Sequence, residues 1–264
     1  MSEGTTARLN GIDIYFERFG NGPRLLFFNG SGTSLATSRP MVEAYASKFE
    51  VLVHDQRGLG ATSVPPGPYT MAEYAADAIA LLDHVGWDTC RVVGISFGGM
   101  VAQEFAVTVP ERVERLALLC TSPGGHAASY PLHTVGPDEG ARMLTILDTR
   151  YTSEFLAAHP EHRSFVELLA SRPDPTDQSP EVLRGMREQL LARADHDVLD
   201  RLGRITCPTL VQSGAYDGIA PPENGRLIAS LIPGAEYREY NGGHLFTIQD
   251  RRVVPDAIEF LGSS

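Results

Sequence analysis

A series of short, uninterrupted apolar runs, separated by helical patterns, constrains the fold of this chain more than any other feature. Runs that are continuous rather than alternating are typical of strands buried on both faces of a parallel sheet. Strands that alternate with helices form βαβ units, so the pattern predicts an α/β fold with a doubly wound, mostly parallel sheet. The runs cover residues 25–28, 51–53, 92–93, 116–119 and 209–211, with a further strand predicted at 236–240.

Local signals predict how several elements begin and end. Asn10-Gly11 suits a tight turn between strands at 7–9 and 12–16. Thr70 and Glu73 have the spacing of a helical capping box, and Gly86 has the position of a helix C-cap. Further helices are predicted at 97–109, 223–231 and 254–261.

The alternation of strands and helices is broken once, between residues 126 and 203. This stretch has helical patterns but no apolar run that resembles a buried strand. We therefore predict a core domain at 1–125 and 204–264, with a helical cap at 126–203 inserted between two strands of the sheet. The helical patterns in the insertion cover residues 140–147, 153–158, 163–170 and 180–194.

Composition excludes several functional classes. The 264 residues carry 33 acidic and 22 basic side chains, a formal net charge of −11, which gives no electrostatic footprint for nucleic acid or an anionic membrane. Cys90, Cys120 and Cys207 have neither disulfide nor metal-ligand spacing. The first residues lack the pattern of a secretory signal, and no apolar run approaches the ~20 residues that span a bilayer. We expect a cytoplasmic protein with no membrane or nucleic-acid partner.

The motif Gly94-Ile95-Ser96-Phe97-Gly98 lies between a predicted strand and a predicted helix. In that context a G-x-S-x-G sequence is typical of a nucleophile elbow, a sharp turn that lifts the serine clear of the sheet. The turn crowds the backbone, so the residues two before and two after the serine must be small. Gly94 and Gly98 meet this requirement, and Ser96 is the candidate nucleophile.

A serine hydroxyl needs a positioned base, and the base needs an orienting group. Asp217 follows the apolar run 209–211, and the loop after the run 116–119 contains no carboxylate. His244 follows the last predicted strand, and Gly242-Gly243 allows the chain to turn the imidazole towards the strand ends. Ser96, Asp217 and His244 are therefore the predicted catalytic residues.

Together these elements resemble the α/β-hydrolase family, most of all its enol-lactonase and non-haem haloperoxidase/esterase branch. The resemblance covers almost the whole chain and includes residues 54–63, which are similar to the family's D-x-R-G-x-G-x-S loop. It implies oxyanion donors at the backbone N–H groups of Ser31 and Phe97, a small-molecule substrate and no cofactor. Asn29 stands where many members have His, which affects the shape of the oxyanion loop. A homo-oligomer is left open.

Three functions remain open, of which two are hydrolytic and the third, from a different class, is ligand binding. Hydrolysis of a small carboxylic ester or lactone through an acyl-enzyme is favoured. The alternatives are hydrolysis of a carbon–carbon bond in a vinylogous diketone and a ligand-binding receptor with little turnover. We expect no metal, because the His159–His162 and Asp195–Asp197 clusters lack a second half and suit a solvated surface.

Contacts to the substrate are the least constrained part of the prediction. Asn29, His126 and His133 are candidate substrate-binding residues. Arginines in the insertion are expected to be solvated, although one of them could bind a substrate carboxylate bidentately. A moderately apolar substrate is therefore favoured over an acidic one. The arginines are Arg142, Arg150, Arg163, Arg172, Arg184, Arg187, Arg193 and Arg201.

Overall fold

The computed structural model describes residues 4–134, 150–164 and 179–263. Eight strands form one sheet in the order β1-β2-β4-β3-β5-β6-β7-β8. β1, β2 and β4 pair antiparallel, and every pair from β4 to β8 is parallel. The strands are β1 (Thr5–Leu9), β2 (Ile12–Phe19), β3 (Arg24–Phe28), β4 (Glu50–His54), β5 (Cys90–Ile95), β6 (Val113–Leu119), β7 (Thr209–Gly214) and β8 (Glu236–Tyr240).

The alternation of side chains along the strands explains why the apolar runs are continuous. In β3, Leu26 and Phe28 enter the core on one face of the sheet, whereas Leu25 and Phe27 enter the core on the other face. Helices cover both faces, so neither set of side chains reaches water. The predicted doubly wound, mostly parallel α/β sheet is confirmed.

Helices follow the strands as the sequence pattern predicts, with one omission. α1 was not predicted, because Pro40 interrupts its sequence and its first turn has no acidic residue. The capping box of Thr70 and Glu73 is present at the start of α2, and Gly86 caps its end with φ = 70°. The helices of the core are α1 (Leu35–Ala46), α2 (Met71–Val85) and α3 (Phe97–Thr108).

The hairpin formed by β1 and β2 is confirmed and is longer than predicted. Asn10 and Gly11 have φ of 48° and 79°, as a tight turn with two left-handed residues requires. β2 continues to Phe19 because its second half, from Phe16 onward, pairs with β4. The alternating apolar pattern of β2 ends at residue 16, so the sequence alone does not predict residues 17–19 as part of the strand.

The chain between β6 and β7 contains helices and no strand within the described residues. α4 (Ser153–Ala158) and α5 (Pro180–Ala194) have the predicted bounds, and short 3-10 helices cover Leu132–Thr134 and Leu199–Arg204. The predicted helix 140–147 and most of 163–170 lie outside the described residues. The domain bounds 126–203 stay a prediction.

The last helices complete the layers around the sheet. α6 (Pro222–Leu231) packs beside β7, α7 (Phe246–Gln249) follows β8, and α8 (Val253–Gly262) packs against β6 and β7. None of the helices described for this chain has the length and apolarity needed to cross a membrane.

Candidate active site

Ser96 occupies a strained turn between β5 and α3. Its φ of 55° and ψ of −115° lie in a region that side-chain-bearing residues rarely adopt, and such strain is often stored at functional sites. A Cβ at Gly94 would overlap the carbonyl oxygen of Gly98, and a Cβ at Gly98 would overlap that of Phe28. The spacing of small residues therefore has the steric cause that the sequence pattern predicts.

The backbone of Ser96 is held from the neighbouring strand. Its N–H donates to the Leu119 carbonyl at 2.8 Å, and its carbonyl accepts from the Thr121 hydroxyl at 2.8 Å. Burial, together with the negative charge of Asp217, raises the pKa of the Cys120 thiol well above its usual range. Cys120 is therefore a neutral packing residue behind the turn, as expected for a buried cysteine.

His244 connects Ser96 to Asp217. Its Nε2 lies 2.9 Å from Ser96 Oγ, and its Nδ1 lies 2.8 Å from Asp217 Oδ2. The loops after β7 and β8 pack backbone to backbone, since Tyr216 N–H donates to the Gly242 carbonyl at 2.9 Å. The three residues predicted from the sequence thus form one hydrogen-bonded chain.

The carboxylate of Asp217 is fixed on both sides. Oδ2 faces His244, and Oδ1 accepts from the backbone N–H groups of Ile219 and Ala220 at 2.8 and 2.9 Å. Asp217 is almost fully buried, and His244 is buried as well. An oriented buried carboxylate of this kind holds an imidazole in one tautomer, with Nδ1 protonated and Nε2 facing the serine.

The loop after β3 passes beside Ser96. A Cβ on Gly30 would lie 3.8 Å from the Cβ of Ser96, which measures how closely the two backbones approach. The N–H of Ser31 donates to no residue in the described parts of the chain. Phe97 is the first residue of α3, where a backbone N–H has no partner within the helix. Both predicted oxyanion donors therefore flank the serine.

A second loop, after β4, supports this arrangement. Asp55 accepts from the N–H of Leu35, the first residue of α1, at 2.6 Å, and from that of Ala61 at 2.9 Å. Burial raises the pKa of Asp55, and these two backbone hydrogen bonds oppose the rise. Gln56 Nε2 donates to the Asn29 carbonyl at 2.9 Å. The D-x-R-G-type loop thus fixes both ends of the segment that carries Ser31.

The structure does not bring all candidate substrate-binding residues to Ser96. Asn29 is buried, and its Nδ2 has no hydrogen-bond partner among the residues described here. His126 and His133 are exposed, and no hydrogen bond joins either of them to Ser96 or His244. Substrate binding by these three residues stays a prediction.

Two expectations about the insertion are wrong. Arg193 is not solvated: it is only 5% exposed, and it lies on the face of α5 that turns towards the core. His196 is also buried rather than on the surface, and burial lowers its pKa to about 4. Gln189, fully buried on the same face of α5, was not singled out from the sequence. Positions 185, 189 and 193 are four residues apart, which places them on one face of a helix, and this spacing is the only sequence signal that links them. Polar residues at such spacing normally indicate an exposed face, so the sequence does not predict their burial.

The candidate metal ligands of the insertion do not form a metal site within the described residues. Among the described residues, no group of three or more His, Cys, Asp or Glu side chains is arranged to hold a metal ion. His159 is exposed and contacts Glu161, its near neighbour in the chain, at 3.1 Å.

The sequence model of the alpha/beta hydrolase fold matches residues 23–250, and the chain therefore belongs to this family. A poly(3-hydroxyalkanoate) depolymerase of Ectopseudomonas oleovorans is 31% identical over 248 residues, which are 90% of this chain and 83% of the depolymerase. A 3-oxoadipate enol-lactonase of Acinetobacter baylyi is 28% identical over 254 residues, 94% of this chain and 92% of the lactonase.

The fold is also shared with solved structures. The crystal structure of the enol-lactonase from Burkholderia xenovorans LB400 superposes with a TM-score of 0.82 and 26% identity, covering 98% of this chain and 100% of the lactonase chain. The resemblance stated from the sequence motifs is confirmed. The family and its relatives together support a hydrolase.

Proposed function

We propose that this protein is a serine hydrolase that cleaves a small carboxylic ester or lactone through an acyl-enzyme. The observation that carries the proposal is the hydrogen-bonded chain Ser96–His244–Asp217, with its serine on a strained turn at the start of α3. A serine in an ordinary loop needs neither a buried histidine at hydrogen-bond distance nor a doubly fixed carboxylate behind it.

The geometry permits the following reaction. Ser96 Oγ attacks the carbonyl carbon while His244 Nε2 accepts its proton, and the resulting imidazolium is stabilised by Asp217. The tetrahedral intermediate collapses, and the leaving oxygen takes the proton from His244 as the C–O bond breaks. A water molecule, deprotonated by the same imidazole, then hydrolyses the acyl-enzyme and returns Ser96 to its starting state.

Charge on the carbonyl oxygen would be stabilised by the N–H groups of Ser31 and Phe97. The Ser31 amide is free of other acceptors in the described chain, and Phe97 begins a twelve-residue helix whose N-terminus favours negative charge. Replacing the usual His by Asn29 leaves both backbone donors in place.

The choice of an ester or lactone is supported by the names of the relatives, a depolymerase of a polyester and two enol-lactonases. A meta-cleavage product hydrolase from Pseudomonas fluorescens has the same fold at 22% identity, which bears on the fold alone. Carbon–carbon bond hydrolysis and a receptor with little turnover are therefore outcomes of the test rather than second proposals.

The test is an activity screen of the wild type beside Ser96→Ala. Acyl esters of different length, lactones and dienone acids are the substrates, and we expect at least one ester or lactone to be cleaved. Loss of the nucleophile is expected to lower kcat by about 10⁴- to 10⁶-fold. A reactive-serine probe should label the wild type and not the variant.

Three results would contradict the proposal. Cleavage of dienone acids alone would establish the carbon–carbon hydrolase. Absence of both turnover and probe labelling would favour the receptor. Turnover of the best substrate that survives in Ser96→Ala within tenfold would exclude the covalent route.

A further inference from the structure

The inner face of α5 carries two polar side chains that the reaction above does not use. Gln189 and Arg193 are one helical turn apart, and they are only 1% and 5% exposed. Gln189 Nε2 and Arg193 Nε are each buried, and neither has a hydrogen-bond partner among the described residues. Unpartnered buried donors are rare in folded proteins, and each requires an explanation.

Gln189 joins α5 to the loop beside the serine. Its Oε1 accepts from the Gly32 N–H at 2.7 Å, and Gly30 in the same loop is the residue that approaches Ser96. Because the carbonyl end of the amide is occupied by Gly32, Nε2 is the end left to donate. Ser31 Oγ, in the same loop, is also buried, and no described residue forms a hydrogen bond with it. The unpaired polar groups of α5 and of this loop therefore lie next to the proposed oxyanion donors.

Arg193 brings a positive charge close to the loop that follows β7. Its Nη1 donates to the Tyr130 carbonyl at 2.7 Å, and the Tyr130 N–H donates to the Ile219 carbonyl at 2.7 Å. Ile219 is two residues beyond Asp217, so the guanidinium packs against the loop that carries the catalytic acid. Burial lowers the pKa of Arg193 to about 10, while the charge of Asp217 opposes the shift, so Arg193 stays cationic at neutral pH.

A buried guanidinium normally has an anionic partner, and the described residues supply none to Arg193. No carboxylate among the described residues lies within ion-pair distance of it. Asp217 forms no ion pair with Arg193: its hydrogen bonds go to His244 and to the N–H groups of Ile219 and Ala220, and its charge reaches the guanidinium only at longer range. A buried charge without a partner is strongly unfavourable, and a bound anion would remove the penalty.

We propose that Gln189 and Arg193 form a subsite for a carboxylate on the acyl part of the substrate, so that this hydrolase prefers acidic esters or lactones. Both side chains offer only donors at their free ends, and a guanidinium suits the two oxygens of a carboxylate. The acyl part is the relevant one, because Gln189 bonds to the loop beside which the carbonyl oxygen would lie. This inference rests on the proposed function.

The experiment compares half-esters with neutral esters of equal length. Monoethyl esters of dicarboxylic acids from succinate to suberate are paired with ethyl esters from butanoate to octanoate. The wild type should have a higher kcat/KM for the half-ester at the best chain length. Arg193→Met should lower the ratio of the two kcat/KM values by at least about tenfold, mainly through KM, since a charge-assisted pair is lost.

Two comparisons separate recognition from other effects. Arg187→Met carries the same substitution on the exposed face of α5, and both of its kcat/KM values should match the wild type. Arg193→Lys keeps the positive charge but loses the planar pair of N–H donors, so it should retain part of the preference for half-esters. If Arg193→Met does not fold, inhibition of the wild type gives the answer: free dicarboxylates should compete more strongly than monocarboxylates of equal length.

A wild type that prefers the neutral ester, or that binds monocarboxylates as tightly as dicarboxylates, would overturn the subsite. An equal loss on both esters in a folded Arg193→Met would overturn it too, because Arg193 would then act through Asp217 or through packing. These results leave the serine mechanism intact. Ester hydrolysis that persists in Ser96→Ala would instead overturn the proposed function.

Discussion

At the scale of single residues, the two oxygens of Asp217 have different surroundings, and this difference predicts the effect of an isosteric change. In Asp217→Asn, the amide oxygen should face Ile219 and Ala220, because their backbone N–H groups donate and need an acceptor opposite them. The NH₂ group then faces His244 Nδ1, so the imidazole adopts the tautomer with its proton on Nε2, facing Ser96. That tautomer cannot accept the serine proton, and we expect kcat to fall about 10⁴-fold.

The measurement is kcat at saturating concentration of the best ester, with the melting temperature recorded in parallel. Because the amide has nearly the same shape and keeps its two backbone partners, the fold should survive. A loss of less than tenfold in a folded variant would contradict the role assigned to Asp217.

At the scale of elements, the turn from β5 into α3 depends on Gly94 and Gly98, because neither position has room for a side chain. A Cβ at Gly98 would overlap the carbonyl oxygens of Phe28 and Asn29, which belong to the backbone and cannot rotate away. We expect Gly98→Ala to lower the free energy of unfolding by at least about 2 kcal/mol, as overpacking does, and to displace Ser96 so that activity is lost.

Gly203→Ala is the matched control for this prediction. Gly203 lies in a short 3-10 helix, and the nearest atom to an added Cβ is the Leu231 carbonyl oxygen at 3.9 Å. Urea unfolding and ester turnover of the two variants should differ clearly, with Gly203→Ala close to the wild type. Equal stability of the two variants would show that the backbone at the elbow can move.

The elements also show what a sequence alone can predict. The buried strands are predicted because both faces of a parallel sheet need apolar side chains, and Ser96, Asp217 and His244 come from loops at the same end of such strands. α1 is missed because Pro40 resembles a helix break. The inner face of α5 is missed because burial of Arg193 depends on long-range partners, which no local pattern records.

At the scale of the whole molecule, the core on one face of the sheet encloses two histidines that the catalytic chain does not use. His54 ends β4, and His196 lies where the insertion returns to the core, beside the ion pair of Glu104 and Arg201. Nδ1 of His54 and both ring nitrogens of His196 are buried, with no hydrogen-bond partner in the part of the chain that the structure describes. The native state therefore accommodates both rings in their neutral form, and this couples global stability to pH.

The sign of the coupling follows from the pKa values. Burial lowers the pKa of both His54 and His196 to about 4, whereas an unfolded histidine has a pKa near ~6.5. Between these values the unfolded chain binds protons that the native state does not, so stability falls as the pH decreases from neutral towards about 4. Each histidine contributes a slope of about 1.4 kcal/mol per pH unit within this window.

His196→Leu should therefore reduce the pH dependence of stability, whatever its effect on stability at neutral pH. We expect the free energy of unfolding, measured by urea titration between about pH 5 and 8, to lose up to about 1.4 kcal/mol per pH unit of its slope below pH ~6.5. His84→Leu, the same substitution at a histidine on the surface, is the control, and its urea titration covers the same pH range. A slope in His196→Leu equal to that of the wild type would mean that His196 takes up its proton in the native state, so that the cavity around it must admit water or a counter-charge.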